Sequence, residues 1–478
     1  MKNTIILSIL ILCYACNVVP RSASSREHAG GATLKAKEEE NVVSHTGHSS
    51  NMNALYSEDT ENRSARRGNA WGNKMPSKDR NKVLFYLEQG KTAFDNGNYT
   101  ASNDYFEQAY NIIDDGIKTS AGQALASNLT NAKATPYQPE DFEKVIMHFY
   151  KAINYFQTGA PDEALVEAKR INIKLEDMNA RYEDRKNLYK EDAFAHILQG
   201  IIYESKSDWN NAFIAYRNAV ELFYKNPDKI YFNTIAPVQL QEDLLRMCYK
   251  MNFTEELGKY ETLFGMKYNP DWDYQQAAIV FWENGTGPVK GEMKLTATNG
   301  FFVGNYGAGY DISIPVPAGI PGITSIAIPE YQPSTLTYKS ASITVDNTQY
   351  HLEPIEDFYA IAKQCLADRM NREMGKVLLR VASKKAVKAG LGTLATHFLG
   401  STAGELTKLA VDITGSILEH ADTRNWKSLP ATISYTRIPL KQGQNNLTID
   451  KTDFDNGNSS TAISVNAENP LTLISILN

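Results

Sequence analysis

Three stretches of the chain place small and aromatic residues at the same relative offsets, a pattern that points to pairs of helices packed on one another. The first runs Phe85-Tyr86-Leu87-Glu88-Gln89-Gly90-Lys91-Thr92-Ala93-Phe94-Asp95-Asn96-Gly97-Asn98-Tyr99 and continues to Ser102, Phe106 and Ala109. The second carries Ala152, Tyr155, Gly159, Ala164 and Ala168. The third carries Gly200, Tyr203, Trp209, Ala212, Tyr216 and Ala219, with Pro227 closing its second helix. A weaker fourth copy spans Leu244 to Leu263. Small residues let the helices of a pair approach, and large aromatics fill the gap to the next pair. No single pair buries its apolar face alone, so the pairs must stack.

The pattern resembles the tetratricopeptide (TPR) helix pair, with a generic helical bundle as the alternative. The copies do not follow one another at the usual period of about 34 residues, because extra residues such as Thr119–Pro139 intervene. An irregular TPR-like α-helical solenoid is therefore expected over residues 79–270. By analogy, the first helix of each pair lines a groove for an extended peptide or a partner helix. That assigns partner contact to Leu87, Lys91 and Phe94, then Phe149, Ile153 and Phe156, then Ile197, Ile201 and Glu204. Plain core is the competing reading for the apolar members.

The N-terminus has the zones of a secretory signal: Lys2, an apolar run from Ile5 to Leu12, then Cys13-Tyr14-Ala15-Cys16. The run is too short to span a bilayer comfortably. Its end resembles the bacterial lipobox, with Cys16 as the lipidated residue and residues 1–16 as the lipoprotein signal segment. Ala15 fits that pattern, whereas Cys13 stands where Leu is usual; ordinary cleavage after Ala15 or further on is the alternative. Two or more acyl chains would make the membrane attachment stable. Residues 17–78 lack apolar periodicity and read as a disordered tether with a reach of roughly 45 Å. His28, His45 and His48 in it read as solvated residues. Cys248 and Cys365 are not in metal-ligand spacing and read as buried thiols, with a disulfide left open.

Beyond Tyr268 the period shifts towards alternation. Ile279-Val280-Phe281-Trp282 leads through Glu283-Asn284-Gly285-Thr286-Gly287-Pro288 into Val289 to Thr296, which reads as strand, turn, strand. Residues 271–353 are expected to be β, with prolines 315, 317, 321, 329 and 333 at edges and turns. Residues 354–428 read as a helical insertion, and 429–478 as strands completing the earlier sheet. The fold class is α+β. Within the insertion, Arg372, Lys376, Arg380, Lys384 and Lys388 form a basic stripe suited to anionic headgroups or an acidic partner, or simply to solvent. The Gly- and Ala-rich stretch that follows is interrupted by Glu405, Lys408 and Asp412, which argues against insertion into a membrane.

A formal net charge of −6 gives no overall reason to expect nucleic acid. The glycines of Gly304-Asn305-Tyr306-Gly307-Ala308-Gly309 and of Gly285–Gly291 do not make a dinucleotide or phosphate loop. No HExxH, paired CxxC or Gly-x-Ser-x-Gly occurs. The chain is accordingly read as a non-enzyme with no cofactor and no metal, an unfamiliar active site being the remaining possibility. The most distinctive local segment is Ala421-Asp422-Thr423-Arg424-Asn425-Trp426-Lys427-Ser428-Leu429-Pro430. It reads as a packing corner in which Asp422 pairs with Arg424, with partner contact through Arg424 and Trp426 as the functional alternative.

Glu283-Asn284-Gly285 with Pro288-Val289-Lys290, Leu379-Arg380-Val381-Ala382, and Ala421-Asp422-Thr423-Arg424-Asn425-Trp426 through Leu429-Pro430 together resemble a family of bacterial TPR-containing lipoproteins of unassigned activity. The resemblance covers most of the mature chain; the long tether and Cys13 depart from it. It implies an outer-membrane lipid anchor with the chain facing the periplasm, and an accessory role beside a CsgG-like lipoprotein in envelope assembly or secretion. The expected function is that of a scaffold or adaptor that binds protein partners through its TPR groove. A SusD-like glycan-binding lipoprotein and a TPR regulator of cell-wall synthesis are the alternatives.

Overall fold

The computed structural model describes residues 79–118, 136–180, 188–305, 311–315, 325–370, 373 and 421–477. Cys16, the stretch read as a tether, the basic stripe from Arg372 to Lys388, and Leu379–Ala382 lie outside the described residues, as do Tyr306–Gly309 of the glycine-rich segment.

The helical half consists of pairs: α1 (Lys82–Asp95) with α2 (Tyr99–Lys118), α3 (Asp141–Gln157) with α4 (Pro161–Ala180), α5 (Ala193–Ser205) with α6 (Trp209–Tyr224), and α7 (Val238–Lys250) with α8 (Thr254–Phe264). Each pair closes through the same turn. Gly97, Gly159, Ser207 and Asn252 take φ values of 71, 78, 58 and 54°. Their N–H groups donate to the carbonyls three residues back, on Phe94, Phe156, Glu204 and Tyr249. The next N–H groups donate five residues back, to Ala93, Tyr155, Tyr203 and Cys248. This arrangement satisfies carbonyls that a helix end leaves open. Close approach within a pair needs small residues: a Cβ on Gly90 would lie 2.6 Å from the Phe106 ring, and one on Gly200 would lie 2.5 Å from the Tyr216 ring. Successive pairs touch through α2 and α3, α4 and α5, and α6 and α7. A short hairpin, β1 (Ile230–Tyr231) and β2 (Thr234–Ile235), separates the last two pairs.

The C-terminal part is built of three four-stranded sheets. The first has the order β10 (Glu353–Asp357), β11 (Thr432–Pro439), β3 (Ala277–Asn284), β14 (Leu471–Leu477). Only its β3–β14 pair is parallel. The second has the order β13 (Asn458–Ala467), β12 (Gly443–Thr452), β8 (Ser340–Val345), β9 (Thr348–His351). The third has the order β6 (Asp311–Pro315), β5 (Phe301–Asn305), β4 (Val289–Thr298), β7 (Ser325–Gln332). A further helix, α9, starts at residue 358 and runs to 370 within the described residues.

The α+β class holds, with helices first and sheets after. The expectation that residues 429–478 complete one sheet is corrected. β11 and β14 flank β3, whereas β12 and β13 extend β8, and neither pair joins β4. Alternation identifies a half-buried strand but not its neighbour, which depends on what each face covers. The boundary at 353/354 also falls inside β10, because an edge strand tolerates Pro354. Pro315 and Pro329 likewise sit in the outer strands β6 and β7.

β3 organises the layers. All eight of its residues are buried. Ile279 and Phe281 belong to the core shared with the helices, and Ala278, Val280 and Trp282 to the core shared with the second sheet. The result is helices, sheet and sheet in three layers, with the third sheet joining the helical core through Leu295, Phe302, Ile326, Ile328 and Tyr331. No helix among the described residues is long and apolar enough to cross a membrane.

Two glycines test the helix-pair geometry in opposite directions. Gly200→Ala should destabilise the fold by about 1–3 kcal/mol through overpacking against Tyr216. Gly258→Ala, inside α8 with nothing within 4 Å of the new Cβ, should stabilise it by about 0.5–1 kcal/mol. Urea unfolding midpoints of the two variants would check both signs.

Candidate functional site

The charged and aromatic residues that stand out gather at the seam where the helices meet the sheets. At one end, Lys91 of α1 is fully buried and binds Glu283 of β3 at 2.9 Å and Asp95 one turn along its own helix. Tyr150 of α3 donates to Glu283 at 3.0 Å, and the Lys91 ammonium lies 5.2 Å from the Tyr150 ring centroid. A buried ammonium needs this company, since an unpaired one would be strongly destabilising.

Beside it, residues 421–430 form a corner held by carboxylates from the helices. Glu143 accepts the Trp426 N–H at 2.7 Å and the Glu140 N–H at 2.8 Å, and also binds the Tyr137 hydroxyl. Glu88 accepts the Lys427 N–H at 2.9 Å. Asn425 accepts the Lys290 N–H at 3.1 Å and donates to the Pro288 carbonyl at 2.9 Å. Burial raises Glu88 to about 7. Burial, reinforced by the charge of Glu140, also raises Glu143 to about 7. Glu140 is just as buried, but Arg369 and Lys290 outweigh that burial and hold it at about 2.

At the far end, Glu204 of α5, Asp243 and Arg246 of α7 and Arg437 of β11 form a buried four-charge cluster of zero formal charge. Arg246 grips Glu204 with two nitrogens at 2.9 and 2.6 Å and reaches Asp243 at 2.8 Å. Arg437 reaches Asp243 at 2.8 Å and Glu204 at 2.9 Å. Tyr216 donates to Glu204 at 2.7 Å. Although burial alone would raise it, Glu204 is kept at about 2 by Arg246 and Arg437. Glu204, Arg246 and Arg437 also line a cleft of about 100 Å³, together with Trp209, Trp272, Tyr274 and Lys250.

These positions revise the groove expected from the sequence. Leu87, Lys91, Phe94, Phe149, Ile153, Ile197, Ile201 and Glu204 are buried, and only Phe156 of that set is half-buried. Their cover is the chain itself. Phe149 lies 6.2 Å from Phe281, Lys91 binds Glu283, and Glu204 binds Arg437. A peptide could reach this face only by displacing β3 and β11. Trp426 is buried against Phe106 and Tyr150, with ring centroids 5.7 and 6.0 Å away. Arg424 is half-buried, pairs with Asp422 at 2.6 Å and donates to Asn81 at 3.0 Å. Both belong to the packing corner, Trp426 wholly buried in it and Arg424 at its partly exposed edge.

Two of the segments on which the family resemblance rests, Glu283–Lys290 and 421–430, meet in space. The Asn284 carbonyl accepts the Ala431 N–H at 2.9 Å, and the Gly287 N–H donates to Leu429 at 2.8 Å. Gly285 has φ 72°, and a Cβ there would lie 2.1 Å from the Thr335 carbonyl, so a side chain has no room. Cys248 and Cys365 are free, buried thiols, and burial pushes the Cys248 thiol up to about 12. No cluster of His, Cys, Asp and Glu among the described residues could hold a metal. Asp243, Arg246, Glu140, Glu143 and Arg437 were not singled out from the sequence, and Glu283 was named only as part of a segment that carries the family resemblance. A signal existed, since Lys91 and Glu204 stand on otherwise apolar helix faces and so require buried counter-charges elsewhere. Comparison of the sequence with protein-family models and with curated proteins finds no match.

Arg437→Met removes one partner from the far cluster and should destabilise the protein by about 3–5 kcal/mol. Combining it with Glu204→Gln should cost less than the sum of the two single changes, in a double-mutant cycle read by urea denaturation. The raised acids give a test by pH. A carboxyl whose pKa rises on folding holds its proton more tightly in the native state, so its stabilisation is present at low pH and is lost as pH rises from about 4.5 to about 7. Glu143→Gln should therefore shrink the stability difference between pH 5 and pH 8 by on the order of 3 kcal/mol, measured against the wild-type chain.

Proposed function

We propose that the protein is a lipid-anchored envelope scaffold that binds protein partners and performs no catalysis of its own. In this reading the four helix pairs are of TPR type, Cys16 carries the anchor, and the partner is a protein of the cell envelope such as a CsgG-like lipoprotein. The observation that carries the proposal is the filled groove. The inner face of the helices is closed by β3 and β11 through buried ion pairs, so a partner is met by the outer surface. Val166 and Ile173, seven residues apart on α4 and 49 and 53% exposed, are apolar side chains open on that surface.

A second reading, glycan binding, is favoured by the cleft walled by Trp209, Trp272 and Tyr274. Aromatic faces and paired charges are the chemistry that holds a sugar ring. Quenching of tryptophan fluorescence by soluble oligosaccharide in the absence of any protein would favour it.

The scaffold reading is tested by crosslinking in intact envelopes followed by pull-down. Cys16→Ala should release the chain from the membrane fraction. Val166→Glu with Ile173→Glu should reduce capture of the envelope partner while leaving the unfolding midpoint within about 0.5 kcal/mol of wild type. Capture that survives both changes, or turnover of an envelope substrate by the purified chain, would overturn it.

A further inference from the structure

An exposed strand edge is a template for another strand, and folded proteins block such edges with prolines, charges, bulges, short strands or covering elements. Among the described residues, the outer strands of the three sheets are β10 and β14, β13 and β9, and β6 and β7. Five of these six carry a block. β10 is five residues long, contains Pro354 and a bulge, and has β2 packed beside it. β14 offers its Leu473 carbonyl to the Gln157 side chain at 2.9 Å. β9 has four residues, and β6 has five and ends in Pro315. β7 contains Pro329 and Glu330.

β13 carries none of these. It is ten residues long, Asn-Ser-Ser-Thr-Ala-Ile-Ser-Val-Asn-Ala, with no charge and no proline. It pairs with β12 in unbroken register from Asn458 to Ala467 and has no strand on its other side among the described residues.

We propose that this edge pairs antiparallel with β13 of a second copy of the chain, about a two-fold axis at Ile463. Three observations select a second copy. The sheet is antiparallel throughout, so the added strand continues its pattern. An uncharged strand meets its own copy without the penalty of like charges placed opposite one another. The register about Ile463 also matches side chain to side chain. Ile463 faces Ile463, and Thr461 faces Val465, on the side where Ile463 and Val465 are buried in the core between the sheets. On the other side, Ala462 faces Ser464 and Ser460 faces Asn466, all exposed and all small or uncharged. A β-branched ladder thus runs across the seam, and the contact closes on itself as an isologous dimer.

The test uses the full chain in detergent, with mass followed by light scattering across a wide concentration range. A concentration-dependent dimer is expected. Ala462→Lys and Ser464→Lys place ammonium groups beside the axis and should weaken the dimer by about tenfold or more without changing the unfolding midpoint of the monomer. Should those variants fold poorly, Ile463→Cys should crosslink to its own copy under mild oxidation, as a Cβ pair at the axis lies within disulfide reach. Phe454→Cys, at the β12–β13 turn, should not crosslink beyond the background of the unsubstituted chain. A monomer at every concentration, a dimer indifferent to both lysines, or a foreign chain on the edge in place of the copy would each overturn the proposal.

Discussion

Strand β3 is covered on both faces, and the rest of the molecule is arranged to make that possible. Its odd-numbered residues Ile279 and Phe281 pack into the helices, and its even-numbered residues Ala278, Val280 and Trp282 pack into the second sheet. A strand buried on both faces cannot slip by one residue without exchanging every contact. Glu283 adds a stricter lock. Only one register places its carboxylate between Lys91 and Tyr150, and any other takes that buried carboxylate away from the ammonium and the hydroxyl that hold it.

From that constraint follows the role of the helices. A stack of helix pairs has an inner face that must be covered, and here the chain provides the cover from its own C-terminal part. The four turns at Gly97, Gly159, Ser207 and Asn252 share their hydrogen bonds, so the pairs repeat locally although they are unevenly spaced along the chain. The intervening residues serve the assembly in at least one place. The β1–β2 hairpin reaches the first sheet, where Asn233 donates to Asp357 of β10 at 2.7 Å. In that interval the extra residues serve a contact between helices and sheet.

Much of this was legible in the sequence, and the limits have physical causes. Gly90 with Phe106 and Gly200 with Tyr216 announced the helix pairs because close approach demands a missing side chain on one helix and a ring on the other. The fourth pair was faint because Leu245 stands where the earlier pairs have Gly or Ala, although the backbone turn at Asn252 is unchanged. The 421–430 segment was correctly read as a corner, since Trp426 and Asn425 in a short non-helical stretch have no other way to be buried. What periodicity could not show is which surface covers an apolar face. Leu87, Phe149 and Ile197 look the same whether a partner or the chain's own strand lies on them. The division into three sheets was hidden for the same reason, because β4 and β12 both alternate and only their neighbours differ.

The ionic seam divides its acids into two kinds, and the division explains how the halves stay joined. Glu140 and Glu204 face guanidinium or ammonium groups and remain charged well below neutrality. Glu88 and Glu143 face backbone N–H groups of the corner, which stabilise an anion less than a full positive charge does, and both rise to about 7. The stabilisation from the first kind is lost as pH falls from about 4.5 to about 2, and that from the second as pH rises from about 4.5 to about 7, so the two kinds respond to pH in opposite senses. The corner draws on both. Lys290, which binds Glu140, donates its own N–H to Asn425 at 3.1 Å, while Glu143 holds the adjoining Trp426 N–H at 2.7 Å. Helices and sheet are thus tied at one place by buried acids with opposite responses to protons.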